Sequence, residues 1–169
     1  KQVPYVVGTP GTVPNSIDTA LAAKTVLSQN LASKTGGNIL LSSAASAAMV
    51  SGNKGLFNDA SQISKQYREG MMGRASCFDW SASASIYTHT RGSATNGTVT
   101  STVATNGASA ISLSGLGANA TVKAGDVFAI ANVKQLHYQT KVVRNVLQQF
   151  VVTEDATASA GGVAVVNIH

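Results

Sequence analysis

The apolar positions of this chain change period partway along it. In the first half they recur three or four apart. Val3 to Val7 reads as a short strand entering the turn-forming run Gly8-Thr9-Pro10-Gly11-Thr12-Val13-Pro14. Ile17, Leu21, Leu27 and Leu31, with Ala20 and Ala23 between them, then form a helical stripe. Asn15 stands in front as N-cap, Ser16 and Asp18 fill the first turn, and Gly36-Gly37 end the pattern, which predicts a helix over 16–32. Asn38 to Ser42 reads as a buried strand, and Ala44 to Val50 as a short helix that Gly52 stops. Asn58 or Asp59 can cap a further helix through Ile63, Tyr67 and Arg68 up to Gly70, and residues 73–90 read as two strands around a small-residue connection.

Beyond Arg91 no helical stripe of useful length remains. Strands are predicted at Thr98 to Val103, Ile111 to Leu113, Val127 to Ala131, Leu147 to Thr153 and Val163 to Ile168. The turn signals between them are Asn106-Gly107, Gly115, Gly125-Asp126 and Gly161-Gly162, a spacing that suits a small antiparallel barrel or sandwich. The chain therefore divides into an α/β part over 1–91 and an all-β part over 92–169, an α+β protein in all, joined by the polar stretch 91–97 that lacks apolar anchors. Asn132 to Asn145 interrupts the β pattern for about 14 residues, too long for a tight hairpin, and reads as a projecting loop. It carries Lys134, His137, Lys141 and Arg144, the candidates for contact with another subunit.

Composition narrows the function. Charged residues make up 11% of the 169 positions, less than half the usual quarter, while Ala, Ser, Thr and Gly supply about 45%. Such a chain suits closely packed sheets, or surfaces that neighbouring subunits cover, better than a freely soluble enzyme. The net charge of +5 is spread singly from Lys1 to Arg144, without the clustered cations and interleaved aromatics of a nucleic-acid surface, so no specific nucleic-acid site is assigned. No apolar run approaches the roughly 20 residues of a membrane-spanning helix, and the first residues do not resemble a signal peptide. The absence of an initiator Met is consistent with a fragment or a processed piece.

The single cysteine, Cys77, excludes an intramolecular disulfide and a cysteine-rich zinc site. A nucleophilic cysteine needs a base beside it, and His89 or His137 would have to supply one. Cys77 precedes Phe78 and Trp80, however, and reads as a small buried hydrophobe in a strand. His89, His137 and His169 have no metal-ligand spacing, and the acids form no catalytic pair. Gly8-Thr9-Pro10-Gly11 lacks the Gly-Lys-Ser/Thr of a phosphate loop. Accordingly no catalytic, cofactor-binding or metal residue is assigned, and the chain is read as a non-enzyme without cofactor.

Two stretches carry a resemblance. The first is Leu56-Phe57-Asn58, then Tyr67-Arg68-Glu69-Gly70-Met71-Met72-Gly73-Arg74-Ala75, Phe78-Asp79-Trp80 and Thr88-His89-Thr90-Arg91-Gly92. It resembles the middle of tailed-bacteriophage major capsid (coat) proteins of the P-twenty-two type. The second is Ala124-Gly125-Asp126-Val127-Phe128-Ala129-Ile130-Ala131, with Thr140-Lys141 and Leu147-Gln148-Gln149-Phe150-Val151-Val152-Thr153. It is similar to the inserted β-barrel domain of the same family. The resemblance implies a capsid-type α/β core segment over 1–91, followed by a small antiparallel β-barrel insertion over 92–169. It further implies a structural subunit of an icosahedral virion of a phage or prophage, a homo-oligomer assembled in the bacterial cytoplasm with a scaffolding protein. Complete chains of that family are much longer, so this stretch alone is expected to stay monomeric. The rival expectation is a secreted or cell-surface β-rich binding module, because Thr, Ser and Gly-rich antiparallel strands also build adhesin-like domains.

Overall fold

The computed structural model describes residues 5–32, 36–55, 69–70, 72–100 and 107–169. They form a mixed α+β protein of two helices and several small sheets. The chain divides into two compact units, Val7–Tyr87 and Thr88–His169, with Tyr5 and Val6 belonging to the second. The helix expected from Asn58 or Asp59 to Arg68, the first residues of the Val3 strand and the end of the strand through Val103 lie outside the described residues.

In the first unit, α1 (Ile17–Gln29) is followed by β1 (Gly37–Leu41), α2 (Ser43–Asn53), β2 (Arg74–Ala75) and β3 (Phe78–Ala82). Ser16 caps α1: its hydroxyl accepts the Asp18 N–H at 3.2 Å. The cap is thus one residue later than the Asn15 expected from sequence. Ser42 caps α2 in the same way, its hydroxyl accepting from the Ala45 N–H at 3.2 Å. The sheet order is β1-β3-β2, with β1 and β3 parallel and β2 antiparallel to β3. Parallel neighbours need a crossover between them, and α2 lies in that connection. Ala20, Met49, Met72, Phe78 and Trp80 form the core, with Ile39, Leu41, Val50 and Ala75 against it. The Trp80 indole N–H is satisfied by the Ala75 carbonyl at 3.0 Å.

Gly52 does not stop α2, which continues to Asn53. The reason for glycine is steric: a Cβ there would overlap the Asn15 carbonyl, so the start of α1 can lie against the end of α2 only because residue 52 has no side chain. Asn53, fully buried, completes the junction. Its Oδ1 accepts the Ile17 N–H at 3.2 Å and its Nδ2 donates to the Met49 carbonyl at 2.8 Å. One side chain thereby satisfies an orphan donor at the start of one helix and a carbonyl near the end of another.

Cys77 is not in a strand. Ala75 pairs with Phe78, so Ser76 and Cys77 form the two-residue turn between β2 and β3, with φ of 54° and 67°. Positive φ at both positions matches the twist of a hairpin. The cysteine is exposed, and the Lys24 ammonium donates to its sulfur at 3.1 Å. Inward-facing Phe78 and Trp80 have even parity in β3, which already places residue 77 outside the core.

The second unit contains β4 (Thr98–Val99), β5 (Ala110–Ser114), β6 (Thr121–Val122), β7 (Val127–Leu136), β8 (Val143–Val151), β9 (Ala156–Thr157) and β10 (Ala164–Asn167). All pairings are antiparallel, in the groups β10-β5-β4, β6-β9 and β7-β8. The expected barrel is not formed: none of these sheets closes among the described residues. Strands of two residues are too short to carry the stagger that closure requires. Turns meet where a further strand pair would be needed, through Leu116 N–H to the Gly162 carbonyl at 3.1 Å and Asn119 N–H to that of Ser159 at 3.3 Å. A continuous apolar core nevertheless unites Ile111, Leu113, Leu116, Ala120, Val122, Val152, Ala158, Ala164 and Val166, with Phe128 and Ile130 packed against it.

Helix propensity alone would make Gly52→Ala stabilising by about 0.5–1 kcal/mol. The overlap with Asn15 reverses the sign: Gly52→Ala lowers the melting temperature by an amount corresponding to about 1–3 kcal/mol, whereas Ala at the exposed neighbour Ser51 does not. Thermal denaturation followed by circular dichroism checks both.

Candidate functional site

The segment expected to project as a loop is a hairpin instead. β7 runs on to Leu136 and β8 begins at Val143, so only residues 137–142 make the turn. Val127, Phe128 and Ala129 pair with Val151, Phe150 and Gln149; Lys134 then pairs with Leu147 and Leu136 with Val143, with register shifts between. Asn132 sits inside the irregular stretch at φ 67°. This bulge flips the alternation: Phe128 and Ile130 face the core before it, and Gln135 is the buried residue after it. The phase change is what makes the sequence read as an interruption.

The four candidate residues therefore lie on one two-stranded ribbon. Lys134 is exposed on β7, Arg144 is half-buried on β8, and His137 and Lys141 flank the turn. The turn closes through His137 N–H to the Val142 carbonyl and Lys141 N–H to the His137 carbonyl, both 2.9 Å, with Lys141 at φ 56°. The His137 ring is committed to this turn, since its Nδ1 accepts the Thr140 N–H at 3.2 Å. Leu136, Tyr138, Val142, Val143, Val146 and Leu147 are exposed beside these cations. No Asp or Glu occurs between Asp126 and Glu154. The ribbon consequently combines exposed apolar side chains with charges of one sign, all positive.

The polar centre of the unit is Asp126, a turn residue by its place in Gly125-Asp126. Its Oδ1 lies 2.8 Å from His89 Nε2, and its Oδ2 accepts the Gly92 N–H at 3.0 Å and the Lys123 N–H at 2.8 Å. Burial pushes this carboxyl up, but the His89 hydrogen bond, the two backbone donors and the His89 charge together outweigh it and hold Asp126 below its ordinary value. Residues 92–94 continue along β6: Ser93 and Thr121 exchange side-chain-to-backbone bonds at 3.2 and 3.0 Å, and Ala94 N–H donates to the Thr121 carbonyl at 3.0 Å. A Cβ on Gly92 would overlap that same carbonyl. The stretch at Arg91–Ala94, expected to lack apolar anchors, is held by polar and backbone contacts instead, which hydrophobic patterning does not register.

His89, considered from sequence as a base or metal ligand, is engaged by Asp126, while Cys77 belongs to the other unit. Among the described residues no group of three His, Cys, Asp or Glu side chains is placed to share a metal ion. A shallow depression in the first unit is lined by Leu41, Ser46, Met72, Trp80, Ser81 and Ala82, none of them titratable. The chain matches no protein-family model and no curated protein.

Because the folded Asp126 carboxyl titrates below the unfolded one, its contribution to stability is complete above the ordinary aspartate range near 3.8 and is lost as pH falls through the lower folded value. Asp126→Asn is expected to remove charge-assisted hydrogen bonds worth about 1–3 kcal/mol at neutral pH. The variant also has a shallower loss of melting temperature below about pH 4 than the parent. Melting curves of both chains between neutral and acid pH provide the comparison.

Proposed function

We propose that this chain is a stretch of the major coat protein of a tailed bacteriophage or prophage, of the P-twenty-two type, and acts as a structural subunit of an icosahedral shell. The observation that carries this reading is the junction at Asp126. The two stretches that resemble the coat family are far apart in sequence, and Asp126 of the second binds His89 and Gly92 of the first. Two hydrogen bonds thus join the two stretches, and this meeting of residues 34 to 37 positions apart supports reading them as parts of one unit.

In this reading Val7–Tyr87 is a segment of the shell-forming core and Thr88–His169 is the inserted β module, here without a closed barrel. The positive ribbon of Lys134, His137, Lys141 and Arg144 contacts a neighbouring subunit, and a scaffolding protein assists assembly in the host cytoplasm. The exposed apolar side chains on that ribbon and its lack of acids support a contact role, since surfaces of this kind are covered in assemblies.

The test is co-expression of the open reading frame that encodes this sequence with its neighbouring genes, followed by electron microscopy of sedimenting particles. Closed shells are expected. Particle-free lysates, or display of the product on the cell surface, would instead favour a β-rich binding module. Within the same system, Lys134→Glu, Lys141→Glu and Arg144→Glu combined are expected to block shell formation or make it salt-sensitive, while the melting temperature of the isolated chain stays within a few degrees. Normal assembly of the triple variant would remove the ribbon from the contact.

A further inference from the structure

Val6 is held on the second unit by a single side chain. The Gln149 Oε1 accepts the Val6 N–H at 2.8 Å, and Gln149 Nε2 donates to the Val6 carbonyl at 3.1 Å. A carboxamide offers an acceptor and a donor side by side, which complements the N–H and C=O of one residue and ignores its side chain. One residue earlier the Tyr5 hydroxyl meets the Tyr138 hydroxyl at 3.0 Å, at the turn of the ribbon. That bond, with partial burial behind it, pushes the Tyr5 phenol up to about 12. Val6 is 40% exposed and Tyr5 is half-buried, so partial burial accompanies these bonds. Tyr5 and Val6 therefore form a short strap fastened by three exposed hydrogen bonds, each individually weak, and by partial burial.

The chain changes unit immediately after the strap: Val6 groups with Thr88–His169 and Val7 with the residues up to Tyr87. Between the strap and α1 lie Pro10 and Pro14, with Gly8 and Gly11 at φ 92° and 79°, in a stretch without strand or helix. A short segment fastened by a few bonds and followed by an irregular, proline-containing stretch is an arrangement from which identical segments can exchange between copies.

We propose that the Gln149–Tyr138 face of the β7–β8 ribbon is a binding site for an extended Tyr-Val segment, and that its alternative occupant is the Tyr5–Val6 strap of a second copy of this chain. The hydrogen bonds made between copies are the same as those made within one. The balance is therefore set by the effective concentration of the tethered strap, on the order of millimolar for short flexible tethers, against the concentration of neighbouring chains. Dilute chains keep their own strap, and crowded ones exchange it. This holds whether or not the chain builds shells.

A complementation experiment tests it. One full chain carries Tyr5→Phe and Val6→Pro, which remove the strap's hydroxyl and N–H and leave the clamp free. The other carries Tyr138→Phe and Gln149→Ala, which disable the clamp and leave the strap free. Circular dichroism verifies that both fold; if Gln149→Ala does not, Gln149→Glu keeps the acceptor, loses the donor and takes its place. In sedimentation equilibrium each variant alone is expected to run as a single chain, and the equimolar mixture to form a species of twice the mass whose share rises with concentration. A mixture that stays at single-chain mass up to about 1 mM overturns the proposal, because that reaches the tethered concentration. So does a double-mass species that also forms from the clamp-disabled variant alone.

Discussion

One carboxylate decides how the second unit begins. Between Thr88 and Gly97 the chain has no strand of its own, yet it follows a fixed path because Asp126 accepts from His89 and from the Gly92 N–H while the Lys123 N–H holds the same carboxylate in place. The backbone of Asp126 extends the tie: its carbonyl accepts from the Val152 N–H at 2.9 Å, and Val152 is fully buried in the core. Entry segment, turn and core strand thus converge on one residue. In a chain with only seven acids, few other positions could do this. The tie is strong for the same reason that Asp126 stays ionised, since donors aimed at a carboxylate favour its charged form.

The second constraint is steric and follows from the abundance of small residues. Gly52 admits the Asn15 carbonyl, Gly92 admits that of Thr121, and Gly162 has room for only a slight shift against Gly117 N, 3.2 Å from where its Cβ would lie. In each case backbone approaches backbone, so the polar groups of one segment come within reach of another. Larger side chains would give more apolar burial per residue but would hold those segments apart. The cores are correspondingly modest: among the described residues the largest fully buried side chains are Met49, Val152, Val166 and Asn53. What the chain forgoes in hydrophobic contact it replaces partly by short-range hydrogen bonds between closely set backbones.

Periodicity made the elements with one buried face legible. The extent of α1 and the strands β1, β5, the first half of β7, the end of β8 and β10 could be read from apolar spacing, but the α1 stripe is not the buried face: Leu21, Leu27 and Leu31 are exposed and Ala20 is buried. Features governed by other physics could not. The Asn132 bulge shifts the alternation by one residue, and a period-two reading then breaks at Ala131 although the strand continues. Strands of two residues, β6 and β9, are too short for any period. Gly52 was read as a helix stop, because in sequence a glycine needed for close approach looks the same as one needed for a turn. Asp126 illustrates the limit for sites: Gly125-Asp126 signals a turn, and nothing local indicates that His89, 37 positions earlier, shares its carboxylate. Cys77 shows the converse, since the parity of Phe78 and Trp80 contained the answer and the apolar neighbours obscured it.

In the ribbon of β7 and β8, charge and register act together. Among the described residues each strand pairs only with the other, leaving outer edges apart from the end of β8, where the Val151 carbonyl accepts the His169 N–H at 3.0 Å. A two-stranded ribbon with exposed Leu136, Tyr138, Val142 and Val143 would ordinarily invite indiscriminate strand pairing. Three features oppose that: the bulge at Asn132, the cations Lys134, Lys141 and Arg144, and the absence of any acid with which another copy of the same ribbon could pair. Like charges repel two identical ribbons laid edge to edge, so the cations select against self-pairing at this face while leaving it open to a surface of opposite sign. A positive side chain that protects an edge in the free chain can therefore also choose the partner in an assembly, because specificity needs the wrong partner disfavoured as much as the right one favoured. Opposition to self-pairing then follows from one charge pattern, and it depends on the hairpin register that the bulge sets.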